Sequence, residues 1–96
     1  MKTIISDTFT ESDYTISYYY IENICTVNVR GDHYPSSNAS ISIKQKLTKK
    51  PKYRIRVQNY KGTNSWLQIA EDGSIYIEHS QSDGVWFDAT ITFLCA

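Results

Sequence analysis

The sequence predicts an all-β chain: a single small β-sandwich, or a Greek-key or jelly-roll-like barrel, of about seven antiparallel strands. Three observations carry this. Short runs alternate apolar and polar residues, and no run holds a helical period. Eight of the 96 residues are Tyr, and Tyr, Ile, Thr and Val favour a pleated, half-buried surface. Turn residues recur between the runs at the spacing of a sandwich or small barrel.

Residues 1–12 read as a polar, extended lead-in, and residues 13–96 as the domain proper. In Tyr14–Ile21, Ile16, Tyr18 and Tyr20 share one face, and Thr15, Ser17 and Tyr19 the other. Glu22-Asn23 forms a tight connection, because Asn tolerates positive φ. Cys25, Val27 and Val29 then alternate with Thr26, Asn28 and Arg30, so the two runs make a β-hairpin. Gly31–Ser40 gathers Gly, Pro, Ser and Asn and reads as a loop. Ile41, Ile43 and Leu47 mark a weaker strand, which Pro51 ends by withholding a ladder donor. Tyr53, Ile55 and Val57 point one way in the next strand, and a loop over Asn59–Asn64 follows. Asp72-Gly73 then sits between Trp66–Ala70 and Ser74–His79, the strongest hairpin signal in the chain. Leu67, Ile69, Ile75 and Ile77 form its buried face. The closing strand points Phe87, Ala89, Ile91 and Phe93 inward, and Trp86, Asp88, Thr90 and Thr92 outward.

The size allows one core, and the charge narrows the partners. Ten basic and ten acidic residues cancel, which argues against nucleic acid, whose phosphates call for a basic face. Lys44, Lys46, Lys49, Lys50, Lys52, Arg54 and Arg56 form a basic stretch read as solvated strand faces and a loop, with an anionic-glycan patch as the alternative. Cys25 and Cys95 fall in phase with apolar neighbours and read as two buried thiols; a disulfide between them is the alternative that sequence leaves open. The opening MKTIISDTFTES lacks the apolar core of a signal peptide, and no run approaches a membrane span. Synthesis in the cytoplasm without membrane insertion is therefore expected. Arg30-Gly31-Asp32 is read as turn chemistry rather than an adhesion motif.

No catalytic motif stands out. HEXXH, CXXC, the P-loop and the G-x-S-x-G elbow are absent. His33 and His79 lack metal-ligand spacing, and Glu22, Glu71, Glu78 and Asp88 read as surface charges rather than a glycosidase pair. Neither enzymatic activity nor a cofactor or metal is expected. Binding is the better reading, because exposed aromatic rings can stack on sugars or fill an interface. Tyr34 and Tyr60, in loops, and Trp66 and Trp86, at strand starts, are the candidate ligand-binding residues.

One further pattern runs through the chain. Tyr20, Asn23, Val27 and Gly31 open it. Leu47 to Pro51, followed by Lys52-Tyr53, stands where an aromatic-Arg-Pro element would be. Leu67, Ile69, Asp72, Gly73, Ile75 and Ile77 make the hairpin, and Trp86, Ile91 and Phe93 close it. In this order, over about Tyr14 to Leu94, the chain resembles the C-terminal tip domains of tail-fibre and baseplate receptor-binding proteins from phages and prophages of Gram-positive bacteria. It departs from them where a glycine-rich stretch before the hairpin is reduced to Gly62. The resemblance implies a homotrimer in the virion, joined to other tail or baseplate proteins, that recognises a saccharide or another receptor on the host surface. Two other readings are an assembly or trimerisation module without receptor binding, and a free-standing carbohydrate-binding or inhibitor domain.

Overall fold

The computed structural model describes residues 4–31, 39–60, 65–79 and 86–95. They form eight strands: β1 (Ile4–Glu11), β2 (Tyr14–Ile21), β3 (Ile24–Gly31), β4 (Ala39–Ile43), β5 (Ile55–Gln58), β6 (Ser65–Ile69), β7 (Ile75–His79) and β8 (Phe87–Leu94). Two four-stranded sheets, ordered β1-β2-β3-β8 and β4-β7-β6-β5, pack face to face, and every strand pair is antiparallel. The expected all-β sandwich is present. In the second sheet β5, β6 and β7 follow one another and β4 lies beside β7, the strand order of a Greek key.

The strand beyond the expected seven is β1, within the polar lead-in. Its residues carry little apolar signal because both of its faces are largely exposed, so nothing drives the alternation that marks a half-buried strand. Pairing with β2 along its whole length holds it in place. The turn between them puts Ser12 and Asp13 at φ 54° and 69°, two successive positive values as in a type I′ hairpin. The β2–β3 turn differs from expectation: Glu22, at φ 56°, carries the positive angle, and Asn23 does not.

The core forms where the inward parity of the two sheets meets. Ile16, Val27, Val29, Leu67, Ile69, Ile75, Ile77 and Phe87 are fully buried, with Ala89, Ile91 and Phe93 nearly so. Leu47 joins them from outside any strand, pinned by its N–H donating to the Gly73 carbonyl at 2.9 Å. Tyr53 departs from its expected inward place. It precedes β5 and is 70% exposed, because the strand begins only at Ile55, after the break at Pro51. Both cysteines are free; Cys25 is buried and Cys95 half-buried.

Registration across the first sheet sets the composition of its outer face. Ile4, Ile21, Ile24 and Leu94 are successive cross-strand partners, and so are Ser6, Tyr19, Thr26 and Thr92. The next row is Thr8, Ser17, Asn28 and Thr90, and the fourth is Thr10, Thr15, Arg30 and Asp88. The middle rows are tied by hydroxyl and amide contacts: Thr8 to Ser17 at 3.3 Å, Thr26 to Thr92 at 3.1 Å, and Asn28 Nδ2 to Thr90 Oγ1 at 2.9 Å.

Candidate functional site

The site is built at the corner where the edge of one sheet, β5, approaches the edge of the other, β8. Asn59 staples it. Its side chain is buried; its Nδ2 donates to the Trp86 carbonyl at 3.0 Å and its Oδ1 accepts the Asp88 N–H at 2.9 Å. Its own N–H donates to the Ser65 carbonyl, and the next residue, Tyr60, donates its N–H to the Asp88 carbonyl, each at 2.8 Å. Asn59 thus closes the end of β5 onto its sheet neighbour through its backbone N–H and onto the opposite sheet through its side-chain amide. The seam is tied again at its far end, where Pro51 bridges to Cys95.

Between these ties no ladder joins β5 to β8 among the described residues. Because Asp88 turns its N–H and carbonyl toward the seam, and strand residues alternate, Thr90 and Thr92 turn theirs the same way. Two shallow hollows lie along this seam. One, of about 310 Å³, is lined by Val57, Gln58, Tyr60, Asp88, Ala89 and Thr90. The other, of about 320 Å³, is more apolar and is lined by Pro51, Lys52, Tyr53, Ile55, Thr92 and Leu94, among others.

The first hollow combines an aromatic ring with oriented polar groups. Tyr60 is 78% exposed. The Asp88 carboxylate accepts from Asn28 Nδ2 at 2.9 Å and lies 3.7 Å from the Arg30 Nε. The same Asn28 amide reaches Thr90 Oγ1, so β3 holds the β8 side chains in position. A hollow lined by an exposed tyrosine, an aspartate and a threonine suits a ligand bearing both apolar faces and hydroxyl groups.

Of the four candidate residues, Tyr34 lies outside the described residues. Tyr60 and Trp86 are brought to the same corner, on either side of the Asn59 amide. Trp66 stands one strand away, paired with Gln58. Its ring is covered by the Arg56 guanidinium, 4.3 Å from the centroid, and Arg56 is in turn 3.6 Å from Glu78. Arg56 therefore occupies a ring face that a ligand would need. Asn59, Asn28 and Asp88 were not singled out from sequence. Asp88 was legible as outward, but its link to Asn28 and Arg30 depends on the β3–β8 register. Nothing local marks Asn59 as buried.

A second polar group lies inside the core. Tyr14 Oη and His79 Nε2 are 2.7 Å apart, and Ser65 Oγ and His79 Nδ1 are 3.2 Å apart. Tyr14 and Ser65 are completely buried and His79 is 3% exposed. The His79 and Phe87 rings meet edge to face at 5.5 Å. Since a hydroxyl can donate or accept, the two partners serve either imidazole tautomer. The group satisfies buried polar atoms at the end of the sandwich. Tyr14 also explains Gly31: a Cβ there would lie 2.5 Å from the Tyr14 ring. Close packing against Tyr14 at the end of β3, rather than the expected turn chemistry, accounts for the glycine of Arg30-Gly31-Asp32.

Among the described residues no group of three or more His, Cys, Asp or Glu is placed to hold a metal ion. Compared with protein-family models, with curated proteins and with solved structures, the chain matches none.

Proposed function

We propose that this chain is a saccharide-recognition module serving as the tip domain of a phage tail fibre or baseplate protein, trimeric in the virion, that engages the host cell surface. The observation that supports it best is the β5–β8 corner, where the exposed Tyr60 lines an open hollow together with Asp88 and Thr90. Stacking on the ring face contributes the apolar part of sugar affinity, and the fixed polar groups select hydroxyl geometry. Several equivalent sites on one assembly would raise a weak single-site affinity through effective concentration. The sequence order from Tyr20 to Phe93 supplies the tail-fibre context.

The test uses labelled protein on cells of candidate host strains and on cell-wall polysaccharide. Tyr60→Ala abolishes binding while leaving the unfolding midpoint unchanged, because the ring is outside the core. Binding that survives Tyr60→Ala with wild-type affinity refutes the site. Failure of the wild type to bind any surface saccharide favours a pure assembly role.

A further inference from the structure

Among the described residues, most of the large apolar side chains left exposed lie at one end of the sandwich. Ile4, Ile24 and Leu94 are 61%, 44% and 64% exposed, and with Ile21 they make one row straight across all four strands of the first sheet. At about 4.8 Å between strands the row is about 14 Å long. Directly opposed residues on neighbouring strands are in side-chain contact, so the row is one continuous aliphatic strip. Tyr19, 44% exposed, stands in the next row. Tyr53, 70% exposed, shares the hollow beside Leu94 and carries the apolar surface around the β8 edge.

We propose that this end of the outer β1-β2-β3-β8 face is the surface through which a second copy of this chain associates. Three features favour a like copy over a foreign partner. The first three rows of the face contain no charged side chain, and Arg30 and Asp88 in the fourth neutralise each other, so copies of this face that converge on one axis meet without like-charge repulsion. Formal net charge is zero, which removes the long-range repulsion that keeps highly charged copies apart. The row is aliphatic from end to end, so any registry of one copy on another places apolar against apolar. The exposed parts of these side chains, with Tyr19 and Tyr53, amount to on the order of 500 Å² per copy, approaching the ~800 Å² per partner of a standard interface. A patch of that size is at the upper limit of what monomers leave uncovered. The inference rests on the homo-oligomeric part of the function proposed above, and it assigns that association to a surface separate from the Tyr60 corner.

Sedimentation velocity of the full chain over about 1 to 100 µM is the test, because association is concentration-dependent. The wild type is expected to self-associate in this range. Ile24→Glu and Leu94→Glu, both at exposed positions, weaken association by on the order of 100-fold by burying an unpaired charge. Leu94→Thr, a milder change, weakens it less. Each variant must keep the wild-type circular dichroism. A wild type that stays monomeric overturns both the surface and the oligomer. An oligomer unaffected by both glutamates overturns the surface alone. Loss of cell binding in Tyr60→Ala with association intact separates the two sites.

Discussion

Replacing Gly73 by alanine attacks the turn on which the second sheet depends. Gly73 follows Asp72 between β6 and β7 at φ 87°, a conformation that side chains rarely adopt, and holding alanine there costs about 1–2 kcal/mol. Space is short as well, since an added Cβ would lie 2.4 Å from the Leu47 carbonyl oxygen. To relieve that contact the 47–73 approach must open, which breaks the bond from the Leu47 N–H to the Gly73 carbonyl at 2.9 Å and costs about 1 kcal/mol more. Leu47 is 2% exposed, so its retreat also loosens core packing. The sum is a destabilisation of about 3 kcal/mol, a large part of the ~5–14 kcal/mol expected for a chain of this length. Urea unfolding followed by tryptophan fluorescence measures it, and a thermal midpoint about 15 °C lower should accompany it. A loss below about 1 kcal/mol would refute the reasoning, because it would mean that the turn can accept a side chain without moving Leu47.

Other outcomes follow from the same geometry. Tyr14→Phe removes the hydroxyl facing His79 Nε2 and should cost about 1–3 kcal/mol in denaturant unfolding, since a buried polar atom loses a partner; a neutral result would mean that water reaches His79. Burial pushes the Cys25 thiol up to about 12, with the neighbouring Cys95 adding to the shift. Thiolate is therefore scarce at Cys25 below that pH, and native-state alkylation should modify Cys95 well before Cys25; equal rates read by mass spectrometry would contradict this. The Ser74 hydroxyl and amide, with the Lys46 ammonium, hold the Asp72 carboxyl well below the usual carboxylate range. A group whose pKa is depressed on folding adds stability that is complete above about pH 4 and fades as pH falls toward its folded value. Asp72→Asn should flatten the acid limb of the stability profile, and an unchanged limb would remove Asp72 from that role. Glu22→Gly relieves the positive φ of the β2–β3 turn and should raise stability by up to about 1 kcal/mol in the same urea assay; a loss would show that the Glu22 side chain holds the turn.

Most of the fold could be read along the chain because burial writes a period of two into a strand. Leu67, Ile69, Ile75 and Ile77 alternate with polar residues around Asp72-Gly73, and all four are buried on one face. Strand β1 was harder to read. It is paired on one edge but largely uncovered on both faces, and an uncovered strand has little reason to alternate. Tyr53 fits the inward phase of Ile55 and Val57, yet lies outside the strand, because parity says which way a residue would point and not where pairing begins.

The candidate site divides along the same line. The sequence by itself determined the all-β class, the inward and outward sets of most strands, the Asp72-Gly73 turn, and the placing of Tyr60 and Trp86 outside the core. Periodicity and turn chemistry are local, and they act on a few neighbouring residues at a time. Only the tertiary structure decided that β8 lies against β3 and beside β5. That placement makes Asn59 a buried staple, joins Asp88 to Asn28 and Arg30, and aligns Ile4, Ile21, Ile24 and Leu94 into one strip. Each of these joins residues tens of positions apart, and the register that brings them together comes from packing the two sheets around a shared core, which no single stretch of the chain can specify.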